Sequence, residues 1–259
     1  ALGWRLTRKR AFLHQAERYL VAWASIYRSD FNPIDETGLD AMVMAYDLIE
    51  ADASAATRAR LDPFWAAMAR GYLDALEGRP RGAVTNWSSH RVKLATLAAF
   101  QTGDATLIDR ARAAYRRQIA VNLHADGSTY DFAERDALHY VTYSLDPLMM
   151  AALAARAHGE DWFGYAAPSG ASLPRSLDWL ATFASGARTH IEFRNSRVAF
   201  DRERAAAGQD DFAPHPWQPK KAVNSFSLAA RLDPRFAAVR DALIARSGAR
   251  PPEWMMIGA

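Results

Sequence analysis

Residues 126–148 read DGSTYDFAERDALHYVTYSLDPL. They open with the turn signal Asp126-Gly127-Ser128 and continue with apolar residues at three- and four-residue spacing, which predicts a helix over 130–158. Ionisable and phenolic side chains are dense in this helix, and burying them costs free energy unless a hydrogen-bond network offsets the desolvation. The pattern alone leaves open whether such a network is structural or functional.

The same helical spacing continues through most of the chain, and strand-like alternation is nearly absent. Further helices are predicted over 9–28, 37–51, 55–77, 87–102, 105–123, 172–186, 195–207, 219–231 and 235–246, with Thr37 as the N-cap of the second. The sequence therefore predicts an all-α fold of about ten helices, arranged as a bundle, a solenoid of helix pairs or an α/α toroid. No regular repeat supports the solenoid.

Composition excludes several classes of protein. The chain has 259 residues, 50% of them hydrophobic, so it can bury a large core and we expect a single domain over residues 1–259. It has no Cys, which excludes disulfide scaffolds, thiolate zinc sites, iron–sulfur clusters and Cys nucleophiles. No apolar run reaches the roughly 18 to 20 residues that span a bilayer, so no membrane span is expected. The net charge of +3 is small and no basic run is long, so nucleic acid is not an expected partner.

One group of candidate residues lies at the start of a predicted helix. On a helix that begins near Asn86, the side chains of Asn86, His90 and Lys93 stand at i, i+4 and i+7 and share one face. An amide, an imidazole and an ammonium group in one column form a donor-rich surface suited to an anion. The alternative is a capping Asn followed by an exposed His and an exposed Lys.

A second group lies in the helix that follows the Asp-Gly-Ser turn. Arg135, His139 and Tyr143 repeat every four residues and are therefore predicted to share a face. Asp136, Tyr140 and Tyr143 form an overlapping column. These ionisable and phenolic groups are the ones whose burial requires a hydrogen-bond network.

Other familiar catalytic patterns are absent from the sequence. It has no Gly-rich phosphate loop, no His-Glu-x-x-His and no Gly-x-Ser-x-Gly. His190 and Glu192 are two residues apart, a poor spacing for metal ligands on a helix, and no metal site is expected. The stretch 188–217 around them is dense in polar groups and is interpreted as partly exposed and site-forming. Carboxylates that could supply a glycosidase pair are Asp35, Glu36, Glu134 and Asp201.

At these same segments the sequence resembles the alginate lyase superfamily, that is, poly(mannuronate) lyases and related uronate-polysaccharide lyases. The most specific similarity is the block Ala-Leu-His-Tyr at 137–140, preceded by an Arg and followed by Tyr143 and by Leu-Asp-Pro-Leu at 145–148. Weaker similarity follows the family's order along the chain, at Trp23-Ala24, Asn32-Pro33-Ile34, the segment 86–90 and the stretch 190–202. The resemblance covers roughly residues 20–225.

The resemblance implies an α/α toroid, which is an incomplete α/α barrel with a groove or tunnel. It implies cleavage of a 4-linked polyuronate, such as alginate, polymannuronate or glucuronan, by β-elimination, which leaves a 4,5-unsaturated uronate end. An acidic polysaccharide is then the expected partner, no metal or organic cofactor is needed, and the location is periplasmic or secreted. The sequence itself begins at Ala1 without a signal-peptide hydrophobic region, so either a leader has been removed or the sequence is a fragment.

The resemblance also assigns roles to particular residues. The family's catalytic Tyr maps onto Tyr143 and its catalytic His onto His90. The Asn that neutralises the uronate carboxylate normally stands immediately before that His; Ser89 has this place here, and Asn86, one helical turn before His90, is the candidate. The family's Arg falls nearest Arg135, one position from a strict alignment. The residues expected to contact the sugar are His139, Tyr140, Arg91, Lys93, His190 and Arg202.

The expected chemistry has three tasks, because a donor must neutralise the carboxylate, a base must take the C5 proton and an acid must protonate the glycosidic oxygen at C4. Tyr143 is suited to act as base and acid in a syn elimination, with Arg135 and His139 as the cations that lower its pKa. His90 is the better base for an anti elimination. Two alternatives stay open: a glycoside hydrolase on an α/α barrel, and a non-catalytic protein that binds uronate polysaccharides.

Overall fold

The computed structural model describes residues 1–250, and helices dominate them, as the sequence predicts. Residues 251–259 of the predicted domain lie outside the described residues. The α-helices are, in chain order, α1 (Leu2–Thr7), α2 (Arg10–Ile26), α3 (Pro33–Glu36), α4 (Asp40–Asp47), α5 (Ala55–Glu77), α6 (Asn86–Thr102), α7 (Ala105–Asn122), α8 (Tyr130–Arg135), α9 (Leu138–Ala157), α10 (Leu173–Ala184), α11 (Ala199–Ala206), α12 (Val223–Leu232) and α13 (Ala237–Ser247). Short 3₁₀ turns lie at Thr37–Leu39, Glu50–Asp52, Asp210–Phe212, Pro219–Ala222 and Pro234–Phe236. The two-residue strands β1 (Ile191–Glu192) and β2 (His215–Pro216) pair antiparallel, with Glu192 opposite His215.

The bounds of most long helices lie close to the predictions. The helix predicted over 55–77 is α5, which Ser54 caps by accepting a hydrogen bond from the N–H of Thr57 at 3.2 Å. The prediction for Thr37 is wrong in detail, since Thr37 opens a 3₁₀ turn and α4 begins only after that turn. The capping residue in this region is Asn32, whose side chain accepts from the N–H of Ile34 at 3.1 Å.

The chain divides into two compact units. The first comprises Ala1–Ala83 with His90–Ala114, and the second comprises Val84–Ser89 with the described residues from Tyr115 onwards. Helices α6 and α7 each contribute residues to both units. The expectation of a single domain over residues 1–259 stays a prediction.

In the first unit, a buried carboxylate fixes the chain just before Thr37. Glu36 is fully buried, and four donors surround its carboxylate. A carboxylate in an apolar interior is stable when donors of this kind replace its water. The network therefore connects this segment to α5 and fixes the position of the next residue, Thr37. The four donors are the hydroxyl groups of Tyr27, Ser29 and Tyr72 and the backbone N–H of Asp30.

In the second unit, α9 packs against α8, α10 and α12. The large apolar side chains on the packed face of α9 are fully buried, and each contributes roughly 1.5 to 3 kcal/mol through the hydrophobic effect. Tyr143 lies on the other side of the same helix and is 37% exposed. The packing of α9 therefore separates a core face from a face that solvent reaches. The fully buried residues of α9 include Leu138, Val141, Leu145, Leu148 and Met149.

The Asp-Gly-Ser turn brings the chain from α7 into α8. Gly127 has a φ of +95°, and a Cβ atom there would lie 2.6 Å from Cβ of Trp179, so only glycine fits. The carboxylate of Asp126 accepts hydrogen bonds from the backbone N–H and the hydroxyl of Ser128 at 2.9 and 2.8 Å. Thr129 then caps α8 by accepting from the N–H of Phe132 at 3.1 Å.

The first turn of α8 also carries Asp131, a buried carboxylate that joins four helices. It accepts from the backbone N–H and the side chain of Asn86 at 2.8 and 2.6 Å, from Asn122 at 2.8 Å and from the hydroxyl of Ser144 at 3.0 Å. Burial raises the pKa of Asp131, while the hydrogen bonds from Asn122, Asn86 and Ser144 act in the opposite direction. Asp131 therefore connects the start of α6, the end of α7, α8 and α9.

We predict that Asp131→Asn lowers the free energy of unfolding at neutral pH by about 3 kcal/mol, because the new amide group presents donors to a site that already supplies donors. Urea denaturation measures this change. Ser144→Ala is the matched control, since it removes one of the four partners and is expected to cost about 1 kcal/mol. Wild-type stability in Asp131→Asn would show that this carboxylate does not hold the helices together.

Candidate functional site

The helix predicted over 130–158 is interrupted at Asp136, which separates α8 from α9. Asp136 has a φ of +51°, and Ala137 after it is extended. The carbonyl of Asp136 accepts from the N–H of Phe193 at 2.8 Å, and its carboxylate accepts from the N–H of Asn195 at 2.8 Å. These long-range hydrogen bonds stabilise the left-handed residue and end α8. The predicted column of Arg135, His139 and Tyr143 on one helix is therefore wrong, although the last two still lie one turn apart on α9.

Arg135, the last residue of α8, is held by two neighbours. Its Nη1 donates to the hydroxyl of Tyr140 at 3.0 Å and to the buried carboxylate of Asp201. The guanidinium carbon also lies 4.2 Å from the centroid of the Tyr140 ring, which is a cation–π contact. Nε and Nη2 of Arg135 carry three further N–H donors. The structure thus orients Arg135 and balances its charge within the second unit.

Basic side chains surround Glu192 of β1, and we call Glu192, His139, His215 and Lys221 the Glu192 cluster. Glu192 is fully buried, whereas the side chains of the other three are 26 to 35% exposed. Its Oε1 accepts from the backbone N–H of His139 at 2.8 Å and lies 3.3 Å from Nδ1 of the same residue. Its Oε2 lies 3.4 Å from Nε2 of His215 and 3.7 Å from Nζ of Lys221.

The charge of Glu192 is stabilised by this cluster. Burial by itself raises the pKa of Glu192, but hydrogen bonds from the ring and the backbone of His139, with the charges of His139 and Lys221, hold the pKa below its ordinary value. One carboxylate thus faces three basic side chains. The partly exposed basic groups form a surface suited to a carboxylate on a ligand.

Tyr143 lies one helical turn after His139 on α9. Burial raises the pKa of Tyr143 above its ordinary value. Its hydroxyl is therefore protonated at neutral pH, which suits an acid directly. The ring of His139 packs against the ring of Tyr140, with 4.2 Å between the ring centroids. Tyr140 therefore takes part in packing.

Asn86 begins α6, as predicted, but its amide is engaged inside the second unit. It is buried, and its Nδ2 donates to Oδ1 of Asp131 at 2.6 Å. The backbone N–H of the same residue donates to Oδ2 at 2.8 Å, at the helix N-terminus where a negative charge is favoured. Asn86 thus has a structural partner, and its role toward a sugar carboxylate stays a prediction.

His90 and Lys93 follow on α6 and belong to the first unit. The prediction that they share a face is confirmed, because both contact Thr37. Nδ1 of His90 lies 2.6 Å from the Thr37 hydroxyl, and Nζ of Lys93 donates to the same hydroxyl at 3.0 Å. Lys93 also forms an ion pair with Asp40 at 2.6 Å, and both His90 and Lys93 are buried.

Three other residues predicted to contact sugar have partners within the protein. Arg91 is buried, donates to the carbonyl of Arg81 at 3.1 Å, and has a pKa lowered by burial. Nε2 of His190 lies 2.9 Å from the carbonyl of Asp136. Arg202 is exposed and donates to the carbonyl of Ser196 at 3.0 Å. Their roles in binding sugar stay predictions.

The sequence interpretation missed Thr37 and Asp40 as partners of α6, and it missed His215 and Lys221 in the Glu192 cluster. Thr37 and Asp40 lie 53 residues before the side chains that they contact, so no local pattern connects them. A signal did exist for Glu192, since it lies in the polar stretch 188–217 that was interpreted as site-forming.

The sequence profile of a known family, described as alginate lyase, matches residues 1–190. The chain belongs to the alginate lyase family. The match contains Asn86, His90, Arg135 and Tyr143, and it ends just before β1. Membership in the alginate lyase family therefore covers the residues to which catalytic roles are assigned above, whereas Glu192 lies beyond the matched part.

Individual relatives agree with the family. A polysaccharide lyase from Stenotrophomonas maltophilia (strain K279a) is 33% identical over 180 residues, which are 67% of this chain and 51% of that protein. The crystal structure of an alginate lyase from Bacteroides ovatus is similar with a TM-score of 0.59 at 16% identity, over 82% of this chain and 53% of that one. This likeness confirms the predicted fold class.

The chain spans about half the length of these alginate lyase family relatives. Within residues 1–250, none of the helices combines the length and the apolar character that crossing a membrane requires. Within the same residues, no group of three or more Asp, Glu or His side chains is arranged to hold a metal ion.

We predict that Glu192→Gln destabilises the protein at neutral pH by about 1 to 3 kcal/mol, because the basic groups of the Glu192 cluster lose their carboxylate. The pKa of Glu192 is lower in the folded protein, so its contribution is present above the ordinary glutamate pKa and disappears as the pH falls through the folded value. Urea denaturation at a series of pH values should therefore show the wild type and the variant converging in acid.

The matched control is Glu203→Gln, at an exposed position of α11, for which a change below about 0.5 kcal/mol is expected at every pH. A constant difference between wild type and Glu192→Gln down to acid pH would contradict the assigned charge of Glu192.

Proposed function

We propose that this chain is a polysaccharide lyase that cleaves a 4-linked polyuronate, such as alginate, polymannuronate or glucuronan, by β-elimination. Membership in the alginate lyase family supports the reaction class. The observation that carries the proposal is the position of Tyr143, a partly exposed phenol one turn after His139 of the Glu192 cluster. A hydroxyl that can transfer protons, next to basic groups that attract carboxylates, supplies what elimination from a uronate needs.

The reaction balances without an external reagent. A base removes the proton from C5, the electron pair of that C–H bond forms the C4–C5 double bond, and the bond from C4 to the glycosidic oxygen breaks. An acid gives a proton to that oxygen, which leaves as the hydroxyl of the shortened polymer. The difficult step is the loss of the C5 proton, because the adjacent carboxylate is already negative and must first be neutralised.

Tyr143 is proposed as both base and acid when the C5 proton and the glycosidic oxygen lie on the same face of the sugar. Its ionised oxygen takes the C5 proton, and the hydroxyl formed then protonates the leaving oxygen. Burial opposes ionisation of Tyr143, so its ionised form needs hydrogen-bond donors or positive charge beside the phenolic oxygen when substrate is bound. Arg135 is a weaker source of positive charge for Tyr143 than the sequence suggested, because Asp201 neutralises it.

The family resemblance carries the proposal that carboxylate neutralisation involves Asn86 with Arg135 or His90, each of them described within its own unit. Arg135 uses Nη1 for its protein partners and has the donors on Nε and Nη2 for a ligand. One hydrogen of the Asn86 side-chain amide is donated to Asp131, and the second is proposed as the donor to a substrate.

The substrate is proposed to be an acidic polysaccharide, since the partly exposed basic groups are concentrated around Glu192. His139, His215 and Lys221 together are suited to the carboxylates of neighbouring sugars, with Tyr140, Arg91, Lys93, His190 and Arg202 as further candidate contacts. We propose a periplasmic or secreted location, because polymers of this kind lie outside the cytoplasm.

The hydrolase alternative is disfavoured by the partners of its carboxylates. Glu36 and Asp201 are buried and hydrogen-bonded to protein donors. Glu134 lies 3.6 Å from Arg197, and Asp35 accepts from the Asn32 amide at 2.6 Å. A hydrolase needs one carboxylic acid and one carboxylate that can reach the glycosidic bond. The binding-protein alternative differs from the lyase in that it forms no unsaturated product.

We predict that ultraviolet absorbance rises when the protein is incubated with one or more polymers from a panel of polymannuronate, polyguluronate and glucuronan, and that Tyr143→Phe abolishes the rise. Elimination leaves a double bond conjugated to the carboxylate, which absorbs, whereas hydrolysis leaves none. Tyr19→Phe, at a 61% exposed position of α2, is the control and should retain full activity.

New reducing ends without absorbance would establish a hydrolase instead. Bound polymer without any new ends would establish a binding protein. An unchanged rate in Tyr143→Phe would remove Tyr143 from the chemistry while leaving the lyase assignment in place.

We further predict that kcat/KM on the cleaved polymer rises from neutral to alkaline pH. Burial raises the pKa of Tyr143, so the ionised fraction that can act as a base is small at neutral pH and grows as the pH increases. Initial rates at low substrate concentration across this range measure the effect. A rate that falls steadily with rising pH would contradict Tyr143 as the base.

A further inference from the structure

Thr37 lies between two buried nitrogen-bearing side chains of α6, those of His90 and Lys93. Its hydroxyl oxygen is 2.6 Å from Nδ1 of His90 and 3.0 Å from Nζ of Lys93. All three residues belong to the first unit, and Thr37 reaches them because the Glu36 network fixes the chain immediately before it. The sequence assigned Thr37 only the capping of a helix, a task that it does not perform.

The orientation of the Lys93 ammonium group is determined by three acceptors. Nζ donates to the carbonyl of Thr37 at 2.9 Å, to the hydroxyl of Thr37 at 3.0 Å and to the carboxylate of Asp40 at 2.6 Å. Lys93 is about 5% exposed, so these contacts take the place of water. An ammonium group has donors and no acceptor, and the Thr37 oxygen therefore accepts from Lys93.

The hydroxyl proton of Thr37 then has one hydrogen-bond acceptor among its contacts. Among the hydrogen bonds of the described residues, the Thr37 oxygen contacts Lys93 and His90, and of these two only Nδ1 of His90 can accept a proton. If Nδ1 carried a hydrogen, the Thr37 oxygen could accept from both Nδ1 and Lys93, but its own hydroxyl proton would then have no acceptor among these partners. A hydroxyl proton without an acceptor costs free energy in a partly buried site.

We infer that Thr37, oriented by Lys93 and Asp40, is a positioning residue that holds His90 in the tautomer with the proton on Nε2. Nδ1 accepts from Thr37, and Nε2 carries the hydrogen of the ring. Where His90 acts on a uronate, which rests on the proposed function, Nε2–H is the donor that a neutral ring in this tautomer has for a ligand. His90 in this tautomer is then a donor at Nε2 and not a base there.

The tautomer is measured by ¹⁵N NMR on the full chain with labelled histidine, because ring nitrogens with and without a proton have well separated chemical shifts. The signals of His90 are identified by their absence in His90→Gln. We expect a nitrogen of the unprotonated type at Nδ1 and of the protonated type at Nε2 in the wild type. A protonated Nδ1 in the wild type would overturn the inference, and this readout does not depend on any lyase activity.

Two variants test the role of Thr37. Thr37→Ser keeps the hydroxyl and is expected to keep the tautomer, whereas Thr37→Val keeps the shape without the hydroxyl and is expected to give a mixture of tautomers. An unchanged tautomer in Thr37→Val would overturn the role of Thr37. If Thr37→Val does not fold, wild type and Thr37→Ser decide the question, since a different tautomer in Thr37→Ser overturns the inference and the same tautomer supports it.

The consequence for catalysis is measured separately. On a polymer that the wild type cleaves, Thr37→Val should lower kcat by about twofold or more with a small change in KM, because an even mixture of tautomers leaves roughly half of the His90 rings with a donor at Nε2. Thr37→Ser should recover most of kcat. A loss confined to KM, or equal losses in both variants, would overturn the positioning role. Absence of cleavage by the wild type would refute the proposed function and leave the NMR result as the test of the tautomer.

Discussion

The hydrogen bonds to the Asp131 carboxylate are the interactions on which the arrangement of helices in the second unit depends. The carboxylate lies in the interior, where a lone negative charge is strongly disfavoured, and it is retained because Asn86, Asn122 and Ser144 turn four donors toward it. Two of these donors belong to Asn86 at the N-terminus of α6, one comes from α7 and one from α9. Satisfying a single buried charge therefore fixes the start of α6, the end of α7 and the register of α9. The position of Tyr143, adjacent to Ser144 on α9, follows from the same constraint.

Three of the candidate residues share a second feature, which is that a carboxylate orients a basic side chain. Glu192 holds His139, Asp201 holds Arg135, and Asp40 holds Lys93. Charge-assisted hydrogen bonds of this kind are directional, so they fix where the remaining donors point. The same pairing reduces the positive charge that a ligand would meet. The surface around Glu192 stays basic because one carboxylate there faces three basic side chains.

The sequence predicted the helices well because their signals are local. The bounds of α5 and the turn at Gly127 follow from residues within a few positions of each other. The break at Asp136 was missed, since its cause is a set of hydrogen bonds to Phe193 and Asn195, more than fifty residues later. A helical pattern that runs through position 136 gives no sign of them. The column that included Arg135 was wrong for this reason.

The sequence by itself determined the helical class, the Asp-Gly-Ser turn and the kinds of chemical group present, because these depend on local spacing and on the residues themselves. The tertiary structure decided which groups meet. Thr37 reaches His90 and Lys93, and Glu192 reaches His139, across separations of 53 or more residues that helix packing closes. It also decided that the Asn86 amide binds Asp131. A buried polar group must find a partner wherever the fold places one, and that requirement has no signature in the spacing of the chain.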